Sequence, residues 1–269
     1  MSIVSAFLIP GSPLPFLRPE NPAWAGLAEG ARAAGRALAE AKPDVLLIYS
    51  TQWMAVLDQL WQAREHSTGI HVDENWYEYG DLQTDLRVDV ALAHACVETA
   101  NKAGIRSKAV DYDGFPIDTG TIVASGFINP TGEIKAVVAA NNLYHDFAKT
   151  EQLAKLAAEQ AELQGKRVAV IGVGGLSGKY IDEKIDIATD HIGGESDDEL
   201  NRKLLSLFEV GDIDALRAWL PDYAKATGAD MGMKHLAWIL GATGGFRSAK
   251  TLAYGPTYGA GAAVVQFEV

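Results

Sequence analysis

A chain of 269 residues with 35 acidic and 23 basic side chains has a formal charge of −12, which sets it against nucleic acid and anionic membranes by long-range repulsion. Its 48% hydrophobic and 22% charged residues are an ordinary globular mixture, enough for one large α/β domain over residues 1–269. Cys96 is the one cysteine and cannot close an internal disulfide, the start Met-Ser-Ile-Val lacks the basic region of a signal peptide, and no apolar run approaches the ~20 residues that span a bilayer. A soluble cytoplasmic protein is expected.

Ile3 to Pro10 reads as an apolar strand ending in the breaker-rich Pro10-Gly-Ser-Pro-Leu-Pro15. Asn21 as N-cap and Pro22 at the first helical position open an alanine-rich helix to about Ala41, which Pro43 stops. Asp44 to Tyr49 is a second buried strand delivering Ser50-Thr-Gln-Trp53. If the two strands are parallel, the Pro10–Pro13 and Ser50–Trp53 loops open toward one edge. Leu57 to Tyr79 reads as short strands plus an excursion loop, and Val88 to Ala103 as a helix with Cys96 as a small core residue. Ile105–Val110 is a strand, Asp113–Thr121 a loop, Ile134–Ala140 a strand ending at Asn141-Asn142, and Thr150–Leu163 a helix.

Arg167 to Ile171 is the central β-branched strand, and glycines turn the chain at its carboxyl end, where ligand sites of open α/β sheets lie. Beyond it, Ser196-Asp-Asp-Glu199 has capping-box spacing ahead of a helix over Leu200–Phe208, and a second helix ends at Pro221. A helix over Met233–Leu240 and a last strand over Val264–Val269 complete a central, largely parallel or mixed sheet flanked by helices.

Gly172, Gly174 and Gly178 nearly satisfy the dinucleotide fingerprint. Their last spacing is one residue too long, and no strand ending in an acid follows about 20 residues on, so nucleotide binding is set aside. Ser177 is not a nucleophile elbow, because Lys179 stands where the second glycine belongs and no histidine is near in sequence. Its hydroxyl is expected to brace the turn. His71-x-Asp73 has the spacing of a histidine and carboxylate in non-haem iron sites, but those sites are usually set in all-β folds.

Taken together, Phe7-Leu-Ile-Pro-Gly-Ser-Pro13, the block Pro43 to Trp53, Asp118-Thr-Gly-Thr121, Ala140-Asn-Asn142 and the stretch Ile171 to Lys179 resemble the class III, protocatechuate 4,5-dioxygenase-type, extradiol ring-cleaving dioxygenases. The first resembles that family's A-P-H-x-P-x turn, the second its P-D-x-x-x-x-x-S-x-H-W block, the third its D-H-G-T, and the last its strand and L-S-H turn. The resemblance implies that the two histidines and the glutamate that hold iron(II) in the family correspond here to Gly11, Gln52 and, counting back from Trp238, Lys234. The acid/base histidine falls at Gly178, and the histidine of D-H-G-T at Thr119.

Glycine offers no ligand atom, a glutamine amide is a weaker donor than imidazole, and a lysine puts positive charge where a metal would sit. No catalytic residue and no cofactor are therefore expected in this chain. A family fold emptied in this way resembles the non-catalytic subunits of such enzymes. That resemblance implies a homologous catalytic beta-type subunit carrying Fe(II), two chains of each kind, and a stabilising or positioning role for this one. The alternatives are an active oxygenase with a relocated metal site using His71, Asp73 or His191, and a small-molecule-binding regulatory subunit whose Lys234 attracts an anion.

Overall fold

A computed structural model describes residues 3–179, 182 and 184–269. The first half runs β1 (Ile3–Ile9), the short α1 (Leu14–Leu17), α2 (Ala25–Ala41), β2 (Val45–Ala55), β3 (Gln59–Gln62), β4 (His66–His71), β5 (Leu82–Arg87), α3 (Val90–Lys102), β6 (Ser107–Val110) and α4 (Thr119–Ile128). The second half runs β7 (Lys135–Asn142), α5 (Phe147–Leu163), β8 (Val168–Val173), α6 (Glu195–Val210), α7 (Ile213–Thr227), α8 (Lys234–Thr243), β9 (Ser248–Thr257) and β10 (Ala260–Glu268).

Eight strands form one mixed sheet in the order β6-β3-β7-β2-β8-β1-β10-β9, and β4 and β5 form a separate antiparallel pair. The apolar, β-branched strands expected to be buried on both faces, β1, β2 and β8, lie side by side and parallel, with Phe7 and Ile48 both level with Ile171. β10 returns antiparallel to β1, and β9 antiparallel to β10. Helices α2 and α4 pack on each other; α4 also meets β2 and β8. Helix α8 also meets those two strands and packs against α5, and with β8 and most of β1 and β2 buried at successive residues the helices cover both faces. The core includes the fully buried Trp24, Trp61 and Trp238. Trp238 stacks on Tyr49 with ring centroids 5.5 Å apart, and its indole N–H donates to the Leu47 carbonyl at 3.1 Å. Cys96 is buried as expected, and burial pushes its thiol up to about 12.

Several boundaries differ from the sequence reading. Asn21 does not cap α2; its Oδ1 accepts from the Ala23 N–H in a preceding turn, and Trp24 holds the N-cap position. The stretch read as a loop over Asp113–Thr121 already contains the start of α4. Asp118 caps it by accepting from the Thr121 N–H at 3.0 Å, an Asp cap with a following Gly that also fits a turn. Helix α5 starts three residues before Thr150, capped by Asp146. Gly194, not Ser196, is the N-cap of α6. Pro221 does not end α7 but lies inside it: the buried face Leu216, Leu220, Tyr223 and Thr227 continues past the proline, and that burial outweighs one missing backbone hydrogen bond. No helix is long and apolar enough to cross a membrane among the described residues.

Candidate functional site

The parallel strands β1, β2 and β8 end on one edge of the sheet, so the turns after β1 and β8 and the last residues of β2 converge there. They frame a cleft of about 190 Å³ lined in part by Gly11, Ser12, Gln52, Ser177, Gly178 and Asp230. Gly11, Gln52 and Gly178, three residues singled out from sequence, are thereby brought together. A Cβ added at Gly11 would lie 2.9 Å from the Gln52 Nε2. One added at Gly120 would lie 3.3 Å from the Gln52 Cδ, so the amide fills the space between the first strand end and the start of α4. Ser177 braces its turn, as expected: its Oγ accepts from the Asn201 amide at 2.9 Å and from the Gly261 N–H at 3.1 Å.

Lys234 is not among the residues lining the cleft. Its ammonium is buried and donates to Asn141 Oδ1 at 3.1 Å and to the Asn142 carbonyl at 2.8 Å, and desolvation holds it below the usual lysine range. The acid that does line the cleft is Asp230, which the sequence reading missed. Its Oδ2 accepts from the Thr51 hydroxyl and the Gly175 N–H, each at 2.8 Å. Between the two residues Met231, Gly232 and Met233 all adopt left-handed backbone angles (φ 43°, 64° and 63°), a reversal that aims Asp230 and Lys234 at different partners. The signal for Asp230 was an acid in a glycine-bearing break between two helices. Beneath the cleft a buried chain of polar groups runs from Lys234 through Asn141, whose amide donates to the Thr51 carbonyl, to Thr51 and Asp230.

Thr119 takes part in a different grouping. Its Oγ1 donates to Asp73 Oδ2 at 3.0 Å and lies 2.8 Å from His71 Nε2. His71 and Asp73 do meet, but on a threonine hydroxyl. His191 lies on an exposed turn with Nδ1 3.2 Å from the Thr189 carbonyl. Among the described residues no group of three or more His, Cys, Asp or Glu side chains could hold a metal ion. The side-chain donors lining the cleft, the Gln52 amide, the hydroxyls of Ser12, Ser177 and Thr257, and an Asp230 carboxylate already engaged by two hydrogen bonds, do not fit a 2-His-1-carboxylate iron(II) centre. His235, fully buried beside Asp230, has no hydrogen-bond partner at either ring nitrogen, and burial lowers its proton affinity.

An open mixed sheet with helices on both faces and a polar cleft at its parallel strand ends defines the class: α/β proteins that place their chemistry at that edge. Residues 13–266 match the family described as the catalytic LigB subunit of aromatic ring-opening dioxygenase, and the chain belongs to that family. It is 51% identical over 271 residues to a Pseudomonas 2-aminophenol 1,6-dioxygenase alpha subunit, covering 100% of both chains. It is also 26% identical to a Pseudomonas 2-aminophenol 1,6-dioxygenase beta subunit, over 99% of this chain and 94% of that one. An uncharacterized Escherichia coli K12 protein of known structure shares the fold with a TM-score of 0.62 at 15% identity, covering 98% of this chain and 99% of the other.

Proposed function

We propose that this chain is the non-catalytic subunit of a 2-aminophenol 1,6-dioxygenase, and that it stabilises or positions a homologous beta subunit in a cytoplasmic assembly of two chains of each kind. In this reading the beta subunit carries Fe(II) and uses O2 to open 2-aminophenol to 2-aminomuconic 6-semialdehyde, while residues 1–269 act as one domain without a cofactor of their own. The observation that carries it is end-to-end likeness to an alpha subunit joined to a cleft whose Gly11, Gln52 and Gly178 offer no imidazole. The family's scaffold is kept while the donor chemistry that iron(II) requires is replaced. Two chains of one fold also favour a pseudo-symmetric contact between like surfaces.

The test is to express the beta subunit with and without this chain. Co-expression should raise its soluble yield and melting temperature, since a partner that binds only the folded form stabilises it. A beta subunit equally soluble, stable and active alone would overturn the reading.

A further inference from the structure

A recess of about 280 Å³ lies between α4 and the β4–β5 pair, and it shares no lining residue with the cleft. Its walls differ in character. Leu86, Ile117 and Ile122, all buried, give it an apolar side, whereas Thr68, Gln83 and Thr84 bring hydroxyl and amide groups from the strand pair.

Helix α4 adds two more hydroxyls. Thr121 and Ser125 both line the recess and stand four residues apart, which puts them side by side on one face of the helix. Thr121 is fully buried and Ser125 only 9% exposed, yet neither hydroxyl has a hydrogen-bond partner among the described residues. A threonine or serine inside a helix can satisfy its hydroxyl on the carbonyl one turn back, and a buried hydroxyl left unpaired is destabilising. Two such groups together on the wall of a recess call for an occupant that serves both.

The rest of the lining decides the charge of that occupant. Asp85 is the one charged side chain among the described residues of the wall, and it is already engaged: Arg87 donates to its Oδ1 at 3.1 Å, and His66 Nε2 lies 2.8 Å from the same oxygen. An anion would meet this carboxylate with no cation in the wall to hold it, and a cation would compete with Arg87. A neutral hydroxyl both donates and accepts, which suits two hydroxyl partners at once. The size admits a single substituted ring, since a cavity of about 150 Å³ already takes benzene.

We infer that this recess binds a small neutral ring alcohol, with the ring against Leu86, Ile117 and Ile122 and one hydroxyl seated between Thr121 and Ser125. The inference does not rest on the subunit reading.

The test is a ligand-observed NMR titration of the full-length chain with cis-cyclohexane-1,2-diol, and with cyclohexanecarboxylate as a charged ring of similar size. The diol should bind saturably at one site per chain. The carboxylate should bind about tenfold more weakly, because its charge loses water without gaining a cation. Thr121→Val and Ser125→Ala should each weaken the diol about fivefold, the worth of one neutral hydrogen bond. Neither hydroxyl has a partner to lose in the free chain, so both variants should melt no lower than the parent; Ser125→Ala carries the test alone if Thr121→Val does not fold. Gln52→Ala, at the cleft, should leave the affinity unchanged. No saturable binding of the diol, equal affinity for the carboxylate, full affinity in a folded Ser125→Ala chain, or loss of binding in Gln52→Ala would overturn the inference.

Discussion

Gln52 shows how a single side chain settles the character of the cleft. Its amide nitrogen lies 2.9 Å from where a Cβ on Gly11 would stand, so it occupies space that a side chain at that position would enter, while offering only a neutral donor and acceptor. Gly11, Gln52 and Gly178 were legible because the motifs that resemble the family's stand at the ends of apolar runs, and the parallel strands of the folded sheet put those ends on one edge. Lys234 was placed by counting back from Trp238, and counting cannot see the three left-handed residues that turn it toward Asn141 and Asn142 and leave Asp230 at the cleft. Two imidazoles, the fully buried His235 and the half-buried His145, set a pH dependence. Burial lowers the proton affinity of His235 from its ordinary 6.5 against the opposing pull of Asp230, and burial followed by Lys149 and Lys234 lowers that of His145. Below about pH 6.5 the unfolded chain therefore binds more protons than the folded one, so this contribution is complete above that pH and is lost as pH falls through it. Melting temperature should drop between pH 7.5 and 5, and His235→Gln should flatten part of that slope; an unchanged slope in a folded variant would contradict the assignment.

Helices and strands were legible wherever burial wrote a clear pattern, as in β1, β2, β8 and α5. They were misread where tertiary packing overrides a local signal, as at Pro221 inside α7, or where one residue type serves two purposes, as Asp118 does in capping α4. β9 was missed because its Lys250, Gly255 and Pro256 give no clean alternation. It is one of the two edge strands of the sheet, where proline and lysine are tolerated. The contact between α5 and α8 depends on one small residue: a Cβ on Gly241 would collide with the Glu151 backbone, including its carbonyl oxygen. Gly241→Ala must push two helices apart, so it should cost about 1–3 kcal/mol despite its better helix propensity. Urea unfolding checks this, and a midpoint equal to or above that of the parent would show that the contact yields without strain.

At the scale of the whole molecule the architecture is that of an enzyme family, whereas Gly11, Gln52 and Gly178 at its strand ends offer no imidazole. Family and fold were readable from dispersed motifs because each sits at a sheet edge that the fold itself creates. The meeting of His71 and Asp73 on the Thr119 hydroxyl was not, because only the folded chain brings the end of β4 and the turn after it against the start of α4. The proposed division of labour, a scaffold chain beside an iron-bearing chain of the same fold, makes a quantitative statement about where the metal resides. The most direct measurement is iron per polypeptide in this chain, purified alone under anaerobic conditions with ferrous iron supplied. A value near zero is the result expected from Gly11, Gln52 and Gly178. A value near one iron per chain would contradict it and would turn attention to His71, Asp73 and His191.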